Sequence, residues 1–414
     1  MSEVAHADVG IVPPEGQTRP SHIPARLVYD FDLYNYATPN QDVAASWQHL
    51  KTQAPGPVFW TDRNGGHWVV LEGEDVKRFY SDYTVFSNQD IFVPPNGSRD
   101  NRLIPLELDP PESLLYRKHI VAPMMPSQLI EPIKAVHTLM TEIVERLQPL
   151  GECEFVAEVG TVLPIYVFLS LMNLPEGDRE MLLPLAVMST RPETPEQRLE
   201  GHAALRDYIR DHLIKRREEP GNDLLSTIAN CEIDGRPISE DEAIRFAVLV
   251  LIGGLDTVAN LLSFVALFLA RNPAHRRQLI QNPEIIPAAT DELIRRFGVV
   301  TDARRVVQDI EFGGAMIKAG DMAIAPTFMY GNDPNIVTDP LTVDFSRPPR
   351  MHLTFGAGPH VCAGMHLAKR ELRIFLEEWL GNIPDFEVKP SAELQVEVGL
   401  VAGLKELPLV WRTA

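Results

Sequence analysis

The stretch from Val248 to Ala270 is nearly all apolar over 23 residues, and it decides what this chain can be. Just before it, Ser239-Glu240-Asp241-Glu242 forms a capping box that opens a helix able to run to Ala270. At 1.5 Å per residue that helix is about 45 Å long, enough to cross a whole domain. Such an element needs either a bilayer or a core large enough to close around it. Gly253, Gly254, Asp256, Thr257 and Asn260 lie inside it. An aspartate at the centre of a lone span costs about 2.5–3.5 kcal/mol on insertion, so a buried core helix is the better reading. The 414 residues, 45% hydrophobic and 23% charged, are those of a globular chain that can bury such a core and hold a large cofactor inside it.

Lys and Arg number 38 against 57 Asp and Glu, a formal charge of −19. That balance excludes wrapping nucleic acid or lying on an anionic membrane, so any basic partner surface must be local. Cys153, Cys231 and Cys362 cannot form a disulfide framework and fit a reducing compartment. Met1 to Ser21 carries Glu3, Asp8, Glu15 and no apolar segment of signal type, so a cytoplasmic location is expected.

Residues 1–45 are polar and proline-rich and read as an arm packed on the body, with 46–414 as one domain. His67 to Leu71 reads as a strand after the Asn64-Gly65-Gly66 turn. From Pro126 onward apolar spacings of three and four predict helices over 135–147, 162–172, 195–217, 223–231 and 287–297, with a last one over 365–380. Strand-like runs fall at 304–307, 310–312 and between 397 and 411. The expected class is mainly α with small β-sheets, in a single domain crossed by the long central helix.

The chemistry concentrates in Phe355-Gly356-Ala357-Gly358-Pro359-His360-Val361-Cys362-Ala363-Gly364. Glycines and a proline frame one cysteine, and a helix starts at once. A tight loop that delivers sulfur to a helix N-terminus favours thiolate over thiol, as a metal ligand or a nucleophile. A nucleophile needs a base and an orienting group. A zinc site needs three more ligands, and the chain has no Cys-x-x-Cys or His-Glu-x-x-His. A single thiolate whose other coordination positions belong to a cofactor points to haem.

The pattern Phe-x-x-Gly-x-His-x-Cys-x-Gly resembles the haem-binding loop of the cytochrome P450 family, in which a cysteine thiolate holds the haem. Two further motifs support the resemblance. Glu292-Leu293-Ile294-Arg295 is similar to the family's Glu-x-x-Arg helix, with both charges on one helical face and Arg347 as third member of the cluster. Gly253-Gly254-Leu255-Asp256-Thr257 resembles the oxygen-binding segment of the central helix. Two glycines in mid-helix cost about 1 kcal/mol each and need a reason, which close approach of a flat cofactor and a diatomic ligand supplies. A threonine hydroxyl can back-bond and open the helix there.

From about Pro94 onward the chain resembles the soluble bacterial camphor-hydroxylating members of that family. The resemblance implies the P450 fold, with the central helix over a buried haem b, and a monooxygenase using O2. Its electrons are expected from a [2Fe-2S] ferredoxin with an NADH-dependent reductase. The alternatives are a peroxide-driven haem-thiolate oxidase or peroxygenase, and a non-catalytic haem binder.

By the same resemblance Cys362 is the iron ligand, and Asp256 and Thr257 deliver protons. Gly253 lies against the cofactor. Arg117, Arg304 and His360 hold the haem propionates, with Asp302 beside them. Phe92, Asn101, Thr190, Leu249, Ile252, Val300, Leu400 and Val401 line the substrate pocket. The camphor enzyme's ketone-binding tyrosine is matched by Asn101, and residues 92–106 hold no tyrosine, which argues against camphor. The mostly aliphatic wall suggests a compact apolar terpenoid-like substrate, a norisoprenoid ketone such as an ionone being favoured. Arg117, Lys118, Lys369, Arg370 and Arg373 can form a basic face toward the donor, while Leu114 and Pro349 stand where the family's docking face is basic.

Overall fold

The computed structural model describes residues 19–95 and 102–413. The long central helix organises it. The capping box forms as expected: the Ser239 hydroxyl accepts from the Glu242 amide, and the Glu242 carboxylate accepts from the Ser239 amide. The helix then runs from Glu240 to Leu255, breaks at Asp256 and resumes from Thr257 to Arg271. Among the described residues it is the one helix long and apolar enough to cross a membrane, and 72% of its most apolar window is buried inside the protein.

Helices surround it on several sides. Val162–Met172, Arg179–Thr190, Pro195–Glu218 and Leu224–Asn230 pack on its first half, and Met365–Asn382 touches its second. The sheets are small. The largest has five strands in the order Val58–Thr61, His67–Val70, Met322–Pro326, Thr301–Val306, Phe86–Ser87. One hydrophobic core runs through helices and sheets, from Ile23 and Phe31 to Leu409.

The helices expected after residue 126 are present, with ends shifted by a few residues: Ile130–Leu147, Pro195–Glu218, Ile286–Arg296 and Met365–Asn382. The sequence reading did not include the shorter helices Val43–Gln53, Gly73–Ser81 and Glu112–Val121, although the first two bury a stripe at helical spacing, Val43, Trp47 and Leu50 in one and Val76, Phe79 and Tyr80 in the other. The described part of the arm, from residue 19, packs on the body. Phe31 stacks edge-on against Trp47 at 5.1 Å, and Val28 pairs with Trp60.

Candidate active site

The cysteine loop has the tight shape its glycines require. Gly356 and Gly358 take positive φ of 74° and 66°, which costs glycine nothing and other residues strain. A side chain at Gly358 would also meet the Tyr80 carbonyl at 3.0 Å. The Cys362 amide donates to the Phe355 carbonyl at 2.8 Å, closing the loop, and Met365 opens the next helix.

Cys362 is exposed as a residue, yet its thiol is crowded by protein. Burial pushes its pKa up, against the pull of the Gly364 amide and the Arg117 charge. That direction is for the thiol without a metal; a bound metal holds a ligating thiol deprotonated.

Cationic and donor groups gather beside this loop. The Arg117 Nη2 donates to the Val361 carbonyl at 2.6 Å. Arg304 is 2% exposed in the strand Thr301–Val306, near the Phe79 and Tyr80 rings. Among the described residues its charge meets only its neighbour's carbonyl at 2.6 Å and Asp302 at 3.9 Å. Among the described residues neither ring nitrogen of His360 makes a well-formed hydrogen bond, and burial with the Arg304 and Arg117 charges, opposed by the Leu108 backbone, pushes its pKa down to about 3. A buried cation and a buried imidazole, both short of acceptors, fit a cofactor that brings two carboxylates. The residues present thus fit haem, with Cys362 as the single sulfur ligand.

At the break in the central helix the two glycines have different reasons. Gly253 is exposed, with nothing within 4 Å of where a Cβ would stand, so the helix faces open space there. A Cβ on Gly254 would lie 2.1 Å from the Phe168 ring, so this glycine is a packing notch and not an approach for a cofactor. The Thr257 hydroxyl donates back to the Gly253 carbonyl at 3.0 Å, the expected back-bond. Asp256 is turned the other way. Its carboxylate accepts from both terminal nitrogens of Arg191 at 2.8 and 2.9 Å, from the Thr190 hydroxyl at 2.9 Å and from the Asn260 amide at 2.7 Å. Arg191 carried no pattern in the sequence and only the fold brings it to Asp256, whereas Asn260 lies one helical turn on.

Four of the eight expected pocket residues, Thr190, Val300, Leu400 and Val401, come together. Val300 bridges Val401, the Thr301 amide donates to the Leu400 carbonyl at 2.8 Å, and the Leu400 amide donates to the Thr190 carbonyl at 3.0 Å. Thr190 spends its hydroxyl on Asp256, so it joins the wall to the helix break. Leu249 and Ile252 lie one turn before Gly253 and its neighbours. Phe92 is buried under the Arg198 guanidinium, 4.7 Å from its ring centre. Asn101 lies outside the described residues.

The Glu292, Arg295 and Arg347 cluster is closed. Arg295 grips Glu292 with two nitrogens at 2.7 and 2.8 Å, and Arg347 adds a third bond at 3.2 Å. Arg295 also donates to the Gly331 and Pro340 carbonyls, tying the helix to the segment that leads to the cysteine loop. The basic face is weaker than its residue count suggests, because Lys369 pairs with Asp291 and Arg373 with Glu377.

Comparison with known proteins agrees with this geometry. Residues 171–400 match the family model for cytochrome P450. A probable cytochrome P450 127A1 of Sinorhizobium fredii is 31% identical over 403 residues, covering 95% of this chain and 96% of the relative. The crystal structure of CYP101J2 superimposes with a TM-score of 0.87 at 38% identity, over 96% of this chain and all of that one. That of CYP101C1 gives 0.86 at 36%, over 95% of this chain and all of that one. Proteins of this type take electrons from a redox partner and act on a small substrate. The chain belongs to the cytochrome P450 family and is a monooxygenase built to hold haem b.

Proposed function

We propose that this monooxygenase hydroxylates a compact terpenoid-like substrate, a norisoprenoid ketone of the ionone type ahead of camphor. A [2Fe-2S] ferredoxin with its NADH-dependent reductase supplies two electrons, and the compartment is the cytoplasm. Residues 46–414 act as one haem-binding domain, with 1–45 as its arm. The haem, when bound, supplies oxygen activation; the chain's residues bind, orient and handle protons. Cys362 holds the iron, and Arg117, Arg304 and His360 hold the propionates. Glu292, Arg295 and Arg347 brace the fold behind them. Phe92, Leu249, Ile252, Val300, Leu400 and Val401 exclude water around the substrate.

The observation that carries the reading is the helix break. Thr257 holds its hydroxyl at the edge of the open space beside Gly253, and a buried carboxylate lies on the adjoining residue. The hydroxyl can pass a proton into that space. Asp256 can recharge it only by leaving Arg191, since four donors now occupy its oxygens. An acid next to an alcohol supports the oxygen-dependent reading over the peroxide-driven one, which needs no proton supply of this kind.

The test uses the haem-loaded full chain with ferredoxin, reductase and NADH. Thr257→Ala is expected to bind substrate normally and to divert electrons to hydrogen peroxide. Asp256→Asn is expected to slow turnover without that diversion. Full hydroxylation yields from both variants overturn the proton-delivery assignment. Tight camphor binding with one hydroxylated product overturns the substrate preference.

A further inference from the structure

A cleft of about 320 Å³ lies between the helix Pro195–Glu218 and the first half of the central helix, lined by Leu103, Leu199, His202, Ala203, Arg206 and Val248 among others. His202 is its one imidazole. It is 5% exposed, and neither ring nitrogen has a hydrogen-bond partner among the described residues. A buried polar group without a partner costs about 1–3 kcal/mol, so such a group calls for an explanation. The neighbours do not relieve it. Arg198 is committed to the Tyr34 hydroxyl at 2.6 Å and the Pro94 carbonyl at 3.0 Å, and Arg206 is paired with Asp241. Phe92 offers only a ring face or edge, with centroids 5.6 Å apart. Burial and the two nearby arginines hold the imidazole pKa down to about 4. The ring is therefore neutral at pH 7, with one N–H to donate and one nitrogen to accept.

We propose that His202 recognises the polar end of the substrate, hydrogen-bonding the oxygen of a ketone or alcohol carried on an arm of a cyclic terpenoid. This rests on the substrate class given above. Val248, which borders the cleft, and Ile252, expected in the pocket wall, are four residues apart and share one face of the helix. Between those two residues the helix rises about 6 Å. A molecule with its ring beside Ile252 and its oxygen toward Val248 and His202 must span a comparable length. A ring carrying a conjugated ketone arm does so. A compact bicyclic ketone, whose oxygen sits on the ring itself, does not.

The test compares β-ionone with the hydrocarbon of the same carbon skeleton lacking the oxygen, on the haem-loaded full chain. Binding is measured by calorimetry and by the substrate-induced spin-state shift. The wild type is expected to prefer the ketone. His202→Phe keeps a ring against Phe92 but removes both nitrogens; it should weaken the ketone up to about tenfold and leave the hydrocarbon within about twofold. His202→Asn, which retains an N–H donor, should recover part of the preference. An unchanged reduced carbon-monoxide band verifies that each variant is folded and loaded. Equal loss of both ligands, or no ketone preference in the wild type, overturns the role of His202 and leaves the terpenoid reading standing. If the wild type binds neither ligand, the terpenoid reading falls and this inference with it.

Discussion

Gly253 and Gly254 are neighbours of the same type with opposite surroundings. Alanine at either gains about 1 kcal/mol of helix propensity. At Gly254 the added methyl strikes Phe168, and overpacking of that kind costs about 1–3 kcal/mol. Gly254→Ala is therefore expected to melt below Gly253→Ala by calorimetry. Gly253→Ala should fold at least as well as the wild type but weaken the substrate-induced spin shift, because its methyl enters the open space. Equal melting temperatures and equal ligand binding would refute the distinction. The sequence marked both glycines as unusual and could not tell them apart, since the difference lies in a phenylalanine 86 positions earlier. Cys362 was legible because its glycines, its position before a helix and its isolation from other metal ligands are all local. The direction of the Asp256 side chain was not, because Arg191 and Thr190 reach it from another helix end.

At the scale of elements, the helix Met365–Asn382 follows the cysteine loop and buries Glu371, one of whose carboxylate oxygens has no hydrogen-bond partner among the described residues. Burial pushes this carboxyl up to about 8 from an ordinary 4.5. A raised carboxyl pKa means that the folded protein keeps its proton while the unfolded chain loses it. Its contribution therefore falls as pH rises from about 4.5 to about 8, by at most about 1.4 kcal/mol per pH unit, and levels off above that. Glu371→Gln is expected to flatten this slope in denaturant melts and to be more stable than the wild type at pH 8. An unaltered slope would show that the site is hydrated or paired. The Glu292 and Arg295 pair shows how much of such an element can be read beforehand. Spacing of three placed both charges on one face, but the two carbonyls and Arg347 that make the cluster a brace come from 36 to 55 residues away.

For the whole molecule, the surface beside the cysteine loop matters most for electron supply. Lys369 and Arg373 are engaged in ion pairs, while Leu114 is 51% and Val361 37% exposed. Arg117 links them, lying one turn after Leu114 and donating to the Val361 carbonyl. With the proposed ferredoxin, docking should lean on apolar contact more than on charge. Raising salt from low to physiological strength is then expected to lower donor affinity by less than about tenfold. Leu114→Arg should steepen that dependence, and stopped-flow reduction of the haem measures both. A wild-type affinity that collapses with salt would contradict this view. The sequence by itself determined the family, the proposed sulfur ligand, the buried central helix and most helix positions, because each rests on contiguous residues whose periodicity, caps or turn geometry are local. Only the tertiary structure decided where Asp256 points, why Gly254 is glycine, which cations remain for a partner, and that His202 lies beside Phe92 with no partner among the described residues. Each of these depends on which distant side chains the packing brings within a few ångströms, and no local pattern encodes that.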